Sequence, residues 1–522
     1  MPLTHHWIVK KSDPFAIIMD AEITEIPDGG WGWVIVAAVA LINMSNQSIL
    51  SVYGLLFGTQ LEHLQQDTFT TALITNLNSL ALNFSGLFIG PAIKSFKPRN
   101  VAASGCITVS FGLLLCAFAT AGWHFIVGYS LFVGFGLGLI APSTFVAINS
   151  YFSSKRGRAV GVSLAGAGLG QVFIPHVVRF FLDHYGFREA VLAMSVLSLS
   201  GLLGAFFLKP LNANKNSLKH NNRRHIKLLL EDSDQPKKDH VLEIKINTNI
   251  AAEEAVNNKL YQEHKHCMAL LTPKDKIYQE TTIQVVKHEA SFNKLTHRLV
   301  QALDLELLKD PIFWNMIIGM ALVYTSSINF SMIFPSFLQY SANLSRSTTA
   351  TCMSIMAGAD IVCRLLLPCI TDKLKIPYRL IFLLGTMGLL VSRAALAESS
   401  DFITIVVMSV FTGMTKSATV LNNNLTISAY CKPEKLPGGL GLNMISKGVL
   451  VITVGQLSGW IRDLTNSYIL CLHAQNCLLL LVIIAWAPEM LYNYRKQSLA
   501  KRRAIEEAFS NSAIRVTVAP KS

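Results

Sequence analysis

The stretch "MAGADIVCRLLLPCITDK", Met356 to Lys373, reads as the middle of an apolar helix, yet it carries Asp360 and Arg364. At helical spacing these two lie on one face, one turn apart. Ionisable side chains inside a span face a cavity or each other, because a charge at the centre of a bilayer costs about 3 kcal/mol or more. The stretch therefore reads as a membrane helix with a polar interior face.

Composition points the same way. Apolar residues make up 51% of the 522 and charged residues only 15%, against about a quarter charged in an ordinary soluble domain. Apolar runs recur at the roughly 20 residues that span a bilayer. They are continuous, without the alternation of a β-barrel. The fold class is an all-α polytopic membrane protein. The net charge of +13 would point to nucleic acid in a soluble chain. Here the basic residues sit in short loops and two polar segments, so no nucleic-acid partner is expected. Cys106, Cys116, Cys352, Cys363, Cys369, Cys471 and Cys477 lie in apolar runs and read as small hydrophobes. No C-x-x-C or Cys/His cluster suggests a metal, and no cofactor is expected. The "FAIIM" run at Phe15–Met19 is too short for a signal peptide; the apolar run from Trp31 serves as first helix and targeting signal.

Twelve spans are predicted: 31–56, 70–93, 100–121, 124–149, 158–182 and 188–208, then 311–339, 347–370, 378–397, 402–428, 437–461 and 467–487. They group as a six-helix bundle over 31–208 and a second over 311–487. Between them, 209–310 is rich in Lys, Asn, His, Glu and Gln and reads as a largely disordered loop. The tails are 1–30 and 488–522. Lys94, Lys97, Arg99, Lys155, Arg156, Arg158, Lys373, Lys375, Arg379, Lys432 and Lys435 fall in loops of one side, against Arg188, Arg346 and Arg462 on the other. The positive-inside rule places the first set, both tails and the central loop in the cytoplasm. Pro91 and Pro368 are 277 residues apart, and the same offset carries Lys155, Arg158 and Gly161 onto Lys432, Lys435 and Gly438. Two parallel six-helix repeats fit this echo. That is the major facilitator architecture, whose substrate sits at midplane between the halves.

Deep charge is confined to the second half: Asp360 and Arg364 in span 8, Lys416 in span 10, Lys447 in span 11. Arg393 is placed near the outer end of span 9, where it can snorkel. Three deep cations against one anion predict an anionic substrate. The plainer alternative for Asp360 and Arg364 is an ion pair that locks span 8; for each lysine it is a structural role. Asn43, Asn46, Gln47, Ser51, Asn76, Asn78, Asn83, Gln171, Tyr324, Asn329 and Asn422–Asn424 are polar intramembrane residues that could line the path, and interhelical hydrogen bonding is the simpler reading of each taken singly. "GFGLG" (Gly134–Gly138) and "GAGLG" (Gly166–Gly170) read as packing surfaces; Gln171 stands where a dinucleotide fingerprint needs its last Gly.

Several motifs together resemble the monocarboxylate transporter family of the major facilitator superfamily. "PDGGWGWVIV" (Pro27–Val36) resembles its opening signature, with Asp28, Gly29, Trp31 and Trp33. "YFSSKRGRAVGVSLAGAGLG" (Tyr151–Gly170) is similar to its second, with Lys155, Arg156 and Gly161. "EKLPGGLGL" (Glu434–Leu442), "GWIRDLTNSY" (Gly459–Tyr468) and "GADIVCR" (Gly358–Arg364) resemble its helix 11 and helix 8 regions. The resemblance implies alternating-access transport of small carboxylates, passive or proton-linked, at the plasma membrane. Some members need a single-span immunoglobulin-type partner. It implies that Arg364 binds the carboxylate, Asp360 takes part in proton coupling, and Arg156 belongs to a gate. The chain departs from the family at Ser51, which stands near the place of a proton-carrying Lys in helix 1, and at "GQLSG" (Gly455–Gly459), which lacks paired prolines. Ser51, Lys416, Asn424 and Lys447 are expected to bind substrate with Arg364, and Lys416 or Lys447 is the candidate to stand in for that Lys. A carrier of organic anions is expected. The alternatives are a proton-independent facilitator of a zwitterionic or amphipathic solute (aromatic amino acid, creatine, carnitine or iodothyronine type) and a non-transporting sensor. No nucleophile–base set or phosphate loop suggests an enzyme.

Overall fold

The computed structural model describes residues 28–66, 68–208, 303–399, 401–465 and 467–517. The reading of 209–302 as a disordered loop, and of 1–27 as a tail, lies outside these residues. No water satisfies a peptide group in lipid, so spanning segments must bond internally, and the described elements are helices. The first bundle comprises α1 (Trp31–His63), α2 (Thr68–Phe84), α3 (Gly86–Ala117), α4 (Gly122–Tyr151), α5 (Arg156–His184) and α6 (Phe187–Phe207). The second comprises α7 (Pro311–Ser341), α8 (Arg346–Leu374), α9 (Tyr378–Glu398), α10 (Phe402–Tyr430), α11 (Leu436–Thr453, continued by Gln456–Thr465) and α12 (Tyr468–Thr517).

Eleven of these are long and apolar enough to cross a bilayer unaided. The twelfth crossing is shared. α2 has only 17 residues and breaks at Ser85, and the first turns of α3 complete the passage. The chain then reverses at Lys97 (φ 67°), ahead of Pro98, and the rest of α3 makes the third crossing. The unbroken second span expected at 70–93 is thus corrected to a broken one. α12 also runs well past the expected edge at 487, as a single 50-residue helix.

In lipid, apolar burial does not drive helices together; close contact of small residues and interhelical hydrogen bonds do. Both glycine runs act this way. A Cβ at Gly136 would lie 2.8 Å from the Gly105 carbonyl oxygen, and one at Gly170 would lie 2.6 Å from that of Met44. Buried asparagines stitch the first bundle: Asn43 donates to the Ser163 carbonyl (3.0 Å), Asn78 to that of Tyr129 (2.8 Å), and Ser198 to Asn46 (2.6 Å). In the second bundle Trp486 of α12 donates to the Asn315 carbonyl (2.9 Å), and Phe330, Phe334 and Phe337 of α7 centre an apolar core.

Two seams join the bundles. In one, α5 lies on α8: Gly161 abuts the Arg364 carbonyl and the Pro368 ring, and Gly168 abuts Ile361. In the other, the α2–α3 break lies on α11: Gly86 and Gly441 meet backbone to backbone, and Gly448 lies against the Phe84 ring. Both seams run from the middle of the molecule to the end that carries the basic loops. Asp28 and Glu489 reach that same face. Asp28 bonds the α4–α5 turn there, and Glu489 of α12 makes a two-pronged pair with Arg379 at the start of α9 (2.9 and 2.9 Å).

Gly441→Leu should overpack the second seam at a cost of about 1–3 kcal/mol. The expected result is a thermal midpoint lowered by several degrees in detergent, measured beside Gly58→Leu, where a Cβ meets nothing within 4 Å and no such drop is expected.

Candidate functional site

Between the bundles lies a cavity of about 670 Å³. α1 contributes Val39, Asn43 and Gln47; α5 contributes Ser163, Leu164 and Gln171; α7 contributes Tyr324 and Ser327; α10 contributes Lys416, Asn423 and Asn424; α11 contributes Lys447. Leu50, Gln171, Ser331 and Met332 line one end and are exposed, Met332 by 52%. Ile148, Val160 and Leu440 line the other and are buried, with the two glycine seams beyond them. The cavity therefore opens away from the basic loops and is closed toward them.

Of the predicted binding residues, Lys416, Lys447 and Asn424 line this cavity. Ser51 does not: it caps the 3-10 turn that follows the first segment of α1, donates to the Ser48 carbonyl (2.6 Å), and is exposed. The polar groups that α1 brings to the cavity are the amides of Asn43 and Gln47. Asp360 and Arg364 stand one layer back. Arg364 Nε and one terminal nitrogen each lie 2.8 Å from a carboxylate oxygen of Asp360, and the other terminal nitrogen donates to the carbonyl of Leu164 (3.3 Å), itself a lining residue. Asp360 is 7% and Arg364 8% exposed. The two residues are thus an ion pair that also ties α8 to α5.

Arg393 corrects the sequence reading. It does not snorkel but is 0% exposed. It donates to Ser326 Oγ (2.8 Å) and Ser327 Oγ (3.4 Å) of α7 and lies 4.2 Å over the Phe330 ring. Its depth along α9 misled, since a helix end tucked behind a neighbour offers no route to water. Ser327 also lines the cavity, so this guanidinium lies directly behind the wall.

The residues expected at a gate gather at the basic end. The Asp28 carboxylate accepts the backbone N–H groups of Ser153 (2.7 Å), Ser154 (3.0 Å) and Lys155 (3.3 Å) and the Ser154 hydroxyl (2.9 Å). It thereby caps the turn that enters α5 at Arg156 and docks the first signature on the second. Partial burial pushes the Asp28 pKa up, but those four hydrogen bonds outweigh it and hold the carboxyl below its ordinary range. Gly29 leads into Gly30, which sits at φ 57°, a backbone region that favours glycine. Trp31 and Trp33 open α1 with exposed rings, and Trp33 packs edge-on against Phe152 at 5.3 Å. Arg156 donates to the Phe152 carbonyl (3.0 Å) and reaches Ser428 of α10 across the seam (3.4 Å). Two acids that sequence reasoning missed complete this cluster. Asp372, at the end of α8, accepts the backbone N–H of Arg158 (2.9 Å) and fills the space beside Gly157. Asp304 pairs with Lys94 (2.5 Å) and fills the space beside Gly438 at the start of α11. A smaller pocket of about 500 Å³ opens at this end beside Asp372, Tyr378 and Arg379.

Comparison with known proteins places this geometry in a class. A family model described as Major Facilitator Superfamily matches residues 35–455, and also 316–515. The chain belongs to that superfamily. The solved proton:xylose symporter XylE shares its fold, with a TM-score of 0.56 at 12% identity over 87% of this chain and 94% of the other. Among curated proteins the chain is 33% identical to human "Monocarboxylate transporter 11" over 33% of its length, and 30% identical to bovine "Monocarboxylate transporter 13" over 36%. Those alignments span only 37% and 44% of the two relatives. Mouse "Monocarboxylate transporter 14" aligns at 22% identity over 84% of this chain and 86% of its own. These similarities agree with the family resemblance seen in the motifs.

The Asp28 cap carries a pH signature. A carboxyl whose folded pKa is depressed contributes stability that is fully present above its unfolded pKa, about 3.9, and is lost as pH falls through the folded value. Asp28→Asn should therefore lower stability at pH 7 by about 1 kcal/mol, the scale of a helix cap. The gap between variant and wild type, read as thermal midpoints in detergent, should narrow as pH falls below about 3.9 and through the depressed folded value; an unchanged gap would mean that the carboxylate charge is not what holds the turn.

Proposed function

We propose that the protein is a secondary transporter of small organic anions, working by alternating access between its two bundles. One observation carries this reading: a cavity open at one end and closed at the other, whose lining holds two ammonium groups and no carboxylate. The names of the curated relatives support it. With the basic loops in the cytoplasm, as the positive-inside rule directs, the structure is an outward-open form of a plasma-membrane carrier. In this reading the α5–α8 and α3–α11 seams are the inner gate, held by Asp28, Arg156, Asp372 and the Lys94–Asp304 pair.

The Asp360–Arg364 pair is the proton-sensitive element of the proposal. Asp360 is the carboxylate at mid-membrane depth among the described residues, and it engages two guanidinium nitrogens. Protonating it would release Arg364 toward the cavity beside Leu164, where a planar fork can take a carboxylate. A proton-independent facilitator is the second reading. It is favoured by α1, which brings only the amides of Asn43 and Gln47 to the cavity and leaves Ser51 outside it.

Uptake of labelled lactate or pyruvate into expressing cells at pH 6 and pH 7.5 separates the two. Acid stimulation that disappears in Asp360→Asn is expected for the first reading, and saturable uptake indifferent to pH for the second. Arg364→Lys should lower kcat/KM about tenfold or more, equivalent to about 1.4 kcal/mol, since Lys loses the two-pronged geometry; unchanged kinetics would take Arg364 out of the transport cycle.

A further inference from the structure

The cavity's charge does not match a singly charged solute. Arg364 is already neutralised: both arms of its fork are on Asp360, and its remaining terminal nitrogen is on the Leu164 carbonyl. What faces the cavity is Lys416 from α10 and Lys447 from α11, both half-buried. Among the described residues neither has a carboxylate within ion-pair distance. The lining contains no Asp or Glu at all. Lys416 stands within electrostatic range of Asp360, Arg364 and Arg393, one anion and two cations, so the second bundle does not supply it with a carboxylate of its own.

Two ammonium groups on one cavity with low-dielectric walls repel each other. A monocarboxylate leaves one of them unmatched, and a zwitterion brings a third cation. A solute with two anionic groups balances both. The size of the chamber agrees. At about 670 Å³ it falls in the range of pockets that enclose drug-sized ligands, roughly 300–1,000 Å³, and a three-carbon acid would leave most of it to water. Apolar side chains share the lining with these polar groups, Val39, Leu137, Phe145, Val323 and Leu440 among them.

We propose that the transported solute is an organic dianion with an apolar body, its two carboxylates held by Lys416 and Lys447. The inference rests on the carrier reading and narrows its substrate class. The two lysines have different neighbours. Lys447 Nζ lies 5.0 Å from the centre of the Tyr324 ring, and the Tyr324 hydroxyl meets Asn83 of the first bundle at 3.5 Å. A carboxylate on Lys447 therefore sits at the junction of the bundles. Lys416 holds the other end of the solute deep in the second bundle. Binding both ends ties the solute to the bundle that carries the charge and to the joint about which the bundles move.

The test is substrate competition in proteoliposomes of the full-length protein. Straight-chain monocarboxylates and α,ω-dicarboxylates of matched carbon number are compared at pH 7.5. Half-saturation for the preferred dicarboxylate should be at least about tenfold lower than for its monocarboxylate partner. Lys416→Gln and Lys447→Gln should each erase that ratio, and Lys416→Arg and Lys447→Arg should keep most of it. Thermal midpoints show whether the variants fold, and the wild-type ratio decides by itself if they do not. Equal handling of the two series, or preference for monocarboxylates, overturns the dianion while leaving the carrier standing. Transport of neither series by folded protein overturns both. A preference that survives both Gln substitutions shows that other groups hold the charges and overturns this assignment.

Discussion

A charge at mid-bilayer has to be met by an opposite charge, by a cage of hydrogen bonds or by water, because bare it costs about 3 kcal/mol or more. The second bundle uses all three solutions side by side. Asp360 and Arg364 meet each other through two 2.8 Å contacts. Arg393 is caged by Ser326, Ser327 and the face of Phe330. Lys416 and Lys447 are left to the cavity. The first bundle answers with neutral amides, Asn43, Gln47, Asn83 and Gln171. This division fixes the rest. In the proposed carrier the cationic wall selects what enters, and the neutral wall can approach and retreat without stranding a charge.

The closing of the basic end depends on a different economy of charge, in which acids cap backbone. Asp28 and Asp304 both sit at positive φ, 46° and 51°, and precede the first helices of the two bundles. Asp28 caps the turn into α5, and Asp304 fills the space beside Gly438 at the entry of α11. Opposite-bundle residues complete each entry: Asp372 of α8 at α5, and Lys94 of α3 at Asp304. The two sites are related by nearly the same offset as Pro91 and Pro368. Helix N-termini carry partial positive charge, so an acid at each holds the entry in place, and the glycines at 157 and 438 let it come close enough.

How much of this was legible in the sequence follows the range of each interaction. Periodicity and hydropathy are local, so the spans, the paired bundles and the helical face shared by Asp360 and Arg364 could be read directly. The signatures at 27–36 and 151–170 could be read as motifs, although only the structure joins Asp28 to Ser153 and Ser154. Depth along a helix was legible; rotation and the neighbouring helix were not. That is why Arg393 read as a snorkelling residue and Ser51 as a cavity residue. Asp372 and Asp304 drew no reading because their partners, Arg158 and Lys94, are more than 200 positions away. The break at Ser85 left no strong mark in the sequence; the contact beside it, of Gly86 with Gly441, joins opposite halves of the chain.

The place of the Asp360–Arg364 pair, one layer behind the lining, fits a carrier better than a place on the wall would. Its helix forms the α5–α8 seam: the Arg364 carbonyl abuts Gly161, and its guanidinium holds the Leu164 carbonyl. A rocking motion that opens the basic end must part α5 from α8, and so must break that guanidinium contact. In the proposed cycle the pair thus loses that contact in the motion that exposes the cavity to the other side. A neutral pair crosses that motion at little electrostatic cost, whereas a free Arg364 would have to stay with an anion. The second bundle can therefore carry four deep cations and still move, provided that one is cancelled by Asp360, one is caged at α7, and the remaining two travel with their solute.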